Sequence, residues 1–206
     1  MKKTLIIGLS AVAFNAHAAT ISQSGSFSGL TASTPITIDQ LDPALYTPFG
    51  TFDSVTVTVN VTATADVTVV NGDPVEKTVT AFLIGEVEAK LPTVATVLET
   101  ATVLNHTDIG TLPASGSVIF NNVGGFSTSS DSITSSLGAF EGTGDVDFTI
   151  TSNHSWGVSS LGNGATSTSN ASSLVEWTVT YAYTVPEPST ALFGLVGLFG
   201  LARRRR

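Results

Sequence analysis

From residue 55 to residue 69 the chain alternates without a break. Val55, Val57, Val59, Val61, Ala63, Ala65, Val67 and Val69 share one parity, and Thr56, Thr58, Asn60, Thr62, Thr64, Asp66 and Thr68 the other. A period of two, rich in β-branched residues, predicts an antiparallel strand with one face buried and one in water. The run is long against a usual strand of about 5–6 residues, so a bend or a change of sheet is expected near residues 63–65. The turn-forming run Asn71-Gly72-Asp73-Pro74 follows, and alternation resumes over residues 75–87. The two segments are expected to pair as a hairpin.

Residues 174–184 alternate as well. Val175, Trp177, Val179, Tyr181 and Tyr183 stand opposite Glu176, Thr178 and Thr180, which places Trp177 in the core. Further strands are predicted over residues 21–28, 35–39, 117–121 and 145–152. In residues 93–104 the positions Val94, Val97, Leu98, Ala101 and Leu104 fit helical spacing, but the threonines between them favour a strand, the reading adopted. Residues 127–136 and 162–173, built of Gly, Ser, Thr and Asn, read as loops. Several strands separated by such loops predict an all-β domain, an antiparallel β-sandwich, over residues 19–184.

Both ends break this pattern. At the N-terminus Lys2 and Lys3 precede a short apolar run over residues 5–14, and Ala16 and Ala18 place small side chains at −3 and −1 of a cleavage point before Ala19. This is the layout of a secretory signal peptide, residues 1–18, exported by the Sec machinery and removed by signal peptidase. At the C-terminus Val185, Pro186, Glu187, Pro188 and Ser189 precede an apolar run over residues 191–202 and then Arg203, Arg204, Arg205 and Arg206. The prolines fix φ and lack an N–H, so they are expected to lie beyond the last strand, in an extended linker. The apolar run is greasy on every face, which no surface helix of a soluble domain can be. Its roughly 18 Å of helix falls short of the ~20 residues a permanent span needs. A transient membrane helix is therefore expected, with the arginines as its cytoplasmic anchor.

Pro186-Glu187-Pro188, the short apolar helix and the arginine cluster together resemble the PEP-CTERM protein-sorting signal over residues 185–206. The resemblance implies recognition by exosortase, a membrane-embedded cysteine transpeptidase-like enzyme of Gram-negative bacteria. It also implies cleavage near Pro-Glu-Pro, release or re-anchoring at the cell exterior, and association with exopolysaccharide and biofilm. The body carries a second resemblance. Residues 19–27, Leu41-Asp42-Pro43-Ala44-Leu45 with Gly50-Thr51-Phe52-Asp53-Ser54-Val55, Phe140-Glu141-Gly142-Thr143-Gly144 and Val179 to Tyr183 are similar to choice-of-anchor E domains. That similarity implies a surface-displayed β domain; residues 46–49 are inserted relative to the family's segment.

Charge narrows the partners. Of 206 residues only 12% are charged and about a quarter are Ser or Thr. Residues 19–185 set two lysines against fifteen carboxylates, leaving a net charge of −13 and no arginine. Such a surface repels phosphate backbones, so nucleic acid is excluded as a partner. The chain has no cysteine, which removes disulfides, thiolate metal sites and cysteine nucleophiles.

Candidate chemistry is sparse. His106 and His154 have no second histidine at metal spacing and read as exposed loop residues. No Gly-x-Ser-x-Gly elbow occurs, and the chain reads as non-enzymatic with no cofactor. Glu141, Asp145 and Asp147 gather carboxylates around glycines, a candidate calcium site. Without the Asp-x-Asp-x-Asp-Gly order, a charged outer face at a strand start is preferred. Trp156 reads as a residue at a sandwich edge or as a sugar-stacking platform. The sequence thus points to an exported structural or adhesive protein, with a secreted carbohydrate-binding module as the alternative.

Overall fold

The computed structural model describes residues 16–47, 50–91, 102–159, 161–162 and 164–186. Its alternating segments form eight strands: β1 (Ala16–Ser28), β2 (Thr31–Asp39), β3 (Thr51–Asn71), β4 (Lys77–Lys90), β5 (Thr102–Leu112), β6 (Ser117–Ile133), β7 (Asp145–Ser159) and β8 (Ala165–Pro186). Two short 3-10 turns, Pro43–Leu45 and Leu137–Phe140, lead into β3 and β7. One sheet has the order β1-β8-β3-β6 and the other β2-β7-β4-β5, and every pairing within them is antiparallel. The first strand pairs with the last, the second with the seventh, the third with the sixth and the fourth with the fifth. The chain is thus a long hairpin rolled over on itself, the jelly-roll arrangement of a β-sandwich.

The core lies between the sheets and is built from the inward parity of each strand. The eight inward residues of β3, Val55 to Val69, are at most 1% exposed. They face Val79, Ala81, Leu83, Val87 and Ala89 of β4 and Val146, Phe148 and Ile150 of β7. Each fully buried valine or larger side chain contributes about 1.5–3 kcal/mol. The Phe148 and Trp177 rings meet edge-on across the sheets, with centroids 5.8 Å apart.

Several expectations are corrected. β3 and β4 do not form a hairpin: they lie in opposite sheets, and residues 72–76 cross between them. Alternation reveals which face is buried but not which edge is paired. Asn71 holds this crossing by donating to the Val75 carbonyl at 2.8 Å and the Pro113 carbonyl at 3.0 Å. β3 neither bends into the second sheet nor breaks near residue 63. A β-bulge lies just beyond, where Asn121 and Asn122 of β6 oppose Asp66, and Asn122 N donates to Asp66 Oδ1 at 2.9 Å.

The two Ser/Thr-rich loops are largely strand. β6 continues to Ile133 and β8 starts at Ala165, both templated by β3. Inward positions there are small, Ala165, Ser167, Ser169, Ala171 and Ser173, so composition masks the period. The strand expected over residues 93–104 falls partly outside the described residues, and β5 starts at Thr102. Trp177 is half-buried rather than fully internal.

Candidate functional site

The two chain ends leave the fold side by side. The opening of β1 pairs with the close of β8: Ala16 opposite Pro186, His17 opposite Val185, Ala18 opposite Thr184 and Ala19 opposite Tyr183. On its other side β8 is flanked by β3 only as far as the pair Thr51 and Thr184. Among the described residues Val185 and Pro186 therefore have one neighbouring strand. This explains why Pro186 closes β8 instead of lying beyond it, as expected from sequence: a residue without an N–H is tolerated where one side of the strand has no partner. Glu187, Pro188, Ser189, the expected membrane helix and Arg203 to Arg206 lie outside the described residues, as do residues 1–15.

The exit is fixed from beneath. The Thr51 and Thr184 hydroxyls lie 2.7 Å apart, and Thr51 N donates to Thr184 Oγ1 at 3.3 Å. Gly50 N donates to the Tyr46 carbonyl at 2.6 Å. A Cβ on Gly50 would run into the Thr184 and Tyr46 carbonyl oxygens, so only glycine fits. The inward row of β8 ends in Tyr181 and Tyr183, which join Tyr46, Phe52 and Phe140 in an aromatic plug with ring centroids 6.0–6.4 Å apart. The Tyr46 hydroxyl donates to Glu141. Burial, then the Glu141 hydrogen bond and charge, push the Tyr46 phenol up to about 12. Burial, then the charge of Asp39, raise the Tyr181 phenol as well.

Tyr181 also ties the sheets together. Its hydroxyl donates to the Asp39 carbonyl at 2.8 Å. From β1, Gln23 Nε2 donates to that same carbonyl at 2.8 Å, while Gln23 Oε1 accepts from Asp39 N at 3.0 Å. One amide side chain thus bridges the open edge between β1 and β2. Nothing in the sequence around Gln23 announces this.

The other candidates disperse. Glu141 is engaged by Tyr46, Asp147 Oδ1 accepts from Thr37 Oγ1 at 2.7 Å, and Asp145 stands opposite Asp39 at the start of β7. Among the described residues no group of three His, Asp or Glu side chains is placed to hold a metal ion. Glu141, Asp145 and Asp147 are not among such a group: Glu141 and Asp147 each bind a hydroxyl of their own, Tyr46 and Thr37.

Neither histidine lies in a loop. His106 is in β5, half-exposed, with Nε2 3.4 Å from Asp108 Oδ1. His154 is in β7 and 4% exposed. Its Nδ1 shares a 2.9 Å hydrogen bond with Ser152 Oγ, and its Nε2 has no hydrogen-bond partner among the described residues. Burial holds its imidazole below the usual histidine range. The signal was present: His154 continues the inward parity of Phe148, Ile150 and Ser152. Trp156 is the next residue on that parity and packs against the core.

A groove of ≈ 270 Å³ on the outer face of the second sheet, lined by Ile84, Gly85, Glu86, Asn153 and Ser155, has no counterpart in the sequence reading. Among the described residues no helix is long and apolar enough to cross a membrane.

A folded β body whose last strand runs directly into a Pro-Glu-Pro tail is a cargo with a processing signal at its exit. Residues 184–206 match the PEP-CTERM protein-sorting motif. The chain therefore carries a PEP-CTERM sorting motif, which marks an exported protein, targeted to exosortase and held by a C-terminal membrane anchor before processing.

Beyond the last residues of β8 the match does not extend into the body. There the similarities are to solved structures. One is a chain of the T13 infectious bursal disease virus particle, with 10% identity over 91% of this chain and 45% of that chain, TM-score 0.24. Another is the Gx strain of that virus, with 9% identity over 91% and 48%, TM-score 0.23. A third is a Bacillus endospore appendage protein of disulfide-linked pili, with 13% identity over 87% and 99%, TM-score 0.23. The chain spans less than half the length of the two virus chains. No curated protein matches it.

Proposed function

We propose that this chain is a non-enzymatic structural or adhesive protein of the cell surface or extracellular matrix of a Gram-negative bacterium. It crosses the inner membrane by the Sec machinery and is cut before Ala19 by signal peptidase. It is then held transiently by the apolar run and the arginines of its tail. Exosortase processes it within residues 185–189, and the released or re-anchored body takes its place with exopolysaccharide in a biofilm, as a choice-of-anchor-type display domain.

The observation that carries this reading is the sorting motif, residues 184–206, starting in the last residues of β8. Intact-mass measurement of the protein recovered from the medium tests it. A chain starting at Ala19 and ending within residues 186–189 supports it; a secreted chain that still carries Arg203 to Arg206 overturns it.

A second reading rests on the groove of the outer sheet face. Glu86, Asn153 and Ser155 supply a carboxylate, an amide and a hydroxyl beside the apolar Ile84, the mixture by which proteins hold sugar hydroxyls and a sugar's apolar face. Saturable binding on a glycan array, lost in Glu86→Ala and unaffected by EDTA, would establish a carbohydrate-binding module without calcium.

A further inference from the structure

The outer faces of the two sheets use their polar side chains differently. On the first sheet a ladder of them bonds together. The Thr56 and Ser132 hydroxyls lie 2.7 Å apart, those of Thr58 and Ser130 3.0 Å, and those of Ser22 and Thr180 2.9 Å, while Thr128 Oγ1 donates to Asn60 Oδ1 at 2.9 Å. On the second sheet Glu86 stands directly opposite Asn153, and Ile84 opposite Ser155 forms the next outward pair. All four are exposed. The side chains of Glu86, Asn153 and Ser155 have no hydrogen-bond partner among the described residues. One outward pair further on, the half-buried Phe82 ring lies over Gly157, where a Cβ would meet its Cζ at 2.5 Å. Phe82, Ile84 and Glu86 follow one another along β4 at intervals of roughly 7 Å. The groove thus continues into an apolar floor longer than a single sugar ring.

We propose that this strip binds a polysaccharide whose sugars carry protonated amines, with Glu86 holding an ammonium group and Phe82 the face of a sugar further along the same chain. The proposal rests on the carbohydrate reading of the groove and names the class of sugar that it takes.

The polar groups and the charge select an amine. An ammonium donates three hydrogen bonds, and Glu86, Asn153 and Ser155 offer a carboxylate, an amide and a hydroxyl oxygen to accept them. Neither lysine of residues 19–185 competes for the site: Lys77 is paired with Asp73, and Lys90 with Glu88 at 2.6 Å. The net charge of −13 over residues 19–185 draws a cationic chain toward the body and repels sugars that bear carboxylates or sulfates. A phenyl face attracts cations as well. The floor of Phe82 and Ile84 then selects a chain of rings over a peptide, because each sugar lays an apolar face on it.

The test titrates the full chain, purified in a non-ionic detergent, with three tetramers of the same linkage: glucosamine, its fully N-acetylated form and glucose. Calorimetry is run in mildly acidic buffer, where the amines are protonated. The glucosamine tetramer binds saturably and about fivefold more tightly than the two neutral ones, the upper end for an ion pair open to water. Glu86→Gln removes that preference, and Phe82→Ala weakens the binding of all three several-fold. Glu176→Gln, which removes an equal charge from the exposed row opposite Asn60 on the first sheet, changes nothing.

Equal affinity for the three tetramers overturns the amine and leaves the carbohydrate reading standing; binding of none overturns both. A Glu176→Gln effect as large as that of Glu86→Gln shows diffuse attraction by the whole body. A tetralysine peptide held as tightly as the glucosamine tetramer shows an ammonium site with no need of a sugar. Either result overturns the proposal.

Discussion

Two buried serines that flank Gly29 should answer the same substitution with opposite signs. The Ser173 carbonyl accepts from Gly29 N at 3.1 Å, and Ser152 Oγ donates to the Gly29 carbonyl at 3.5 Å. Ser152 is fully buried and Ser173 is 5% exposed. Ser173 Oγ has no hydrogen-bond partner among the described residues. A buried hydroxyl in that state costs about 1–3 kcal/mol. Ser173→Ala removes the cost and leaves a void smaller than a methyl group, so a gain of about 1 kcal/mol is expected.

Ser152 is the reverse case. Its hydroxyl serves His154 Nδ1, and His154 Nε2 is already without a partner. Ser152→Ala leaves both ring nitrogens buried and unpaired, for a loss of about 1–3 kcal/mol. The gap between two chemically identical changes is then about 2–4 kcal/mol. Urea unfolding followed by tryptophan fluorescence reads it as midpoints displaced in opposite directions with an unchanged slope. In calorimetry each 1 kcal/mol moves Tm by roughly 2–4 °C for a domain of this size. A Ser173→Ala protein less stable than wild type refutes the reasoning and points to a buried water joining Ser173 to its surroundings.

His154 should make stability depend on pH. Burial depresses its folded pKa below the ordinary value of 6.5, so the unfolded chain binds the proton more readily. Its contribution is complete above that value and is lost as the pH falls below it; His154→Phe should flatten this part of the urea-midpoint profile. Gly50→Ala drives a Cβ into the Thr184 and Tyr46 carbonyls and should cost about 1–3 kcal/mol, with amide exchange quickening first at residues 183–185. Tyr181→Phe leaves the Asp39 carbonyl still bonded to Gln23, so a loss of only about 0.5–1.5 kcal/mol is expected in the same titration. Pro186→Ala with Pro188→Ala should leave the urea midpoint unchanged and stop release of the protein into the medium, as seen by immunoblot.

How far the fold could be read in advance depended on what filled the inward positions. In β3 the inward residues are valines and alanines and the outward ones mostly threonines, so the period shows. In residues 165–173 the inward residues are serines and alanines no larger than their outward neighbours. The same geometry there looks like a loop, and only pairing with β3 makes it a strand. Periodicity could not say that β3 and β4 face each other across the core, because either arrangement buries the same parity. His154 was hidden for a related reason: an imidazole on an inward parity reads as a polar break until the residues on either side, Ser152 and Trp156, are seen packed inward too. The sorting motif was legible because it is local, a fixed order of residue types within some twenty positions. Its pairing with the N-terminal segment was not, because the partners stand 170 positions apart.

That pairing follows from the topology and not from any loop. In a rolled hairpin of eight strands the first and last are neighbours and antiparallel, so the start of one and the end of the other leave at the same end of the sandwich. Lengthening the crossings, as at residues 40–50 or 134–144, cannot change this. On the proposed reading, a body built this way has its signal cut and its tail cut at the same end of the sandwich. That end also carries Asp39, Asp42, Asp53, Glu141 and Asp145, and anionic lipid headgroups repel carboxylates. With the tail anchored, the exit strand is expected to face the bilayer and the carboxylates to hold the body off its surface. Reversing the charge with lysine at Asp42, in the β2–β3 crossing, and at Asp53, near the start of β3, neither of them a partner in the Tyr46–Glu141 hydrogen bond, should draw the unprocessed body onto anionic vesicles in a flotation assay. Equal flotation of variant and wild type at low salt would show that the carboxylates do not set this distance.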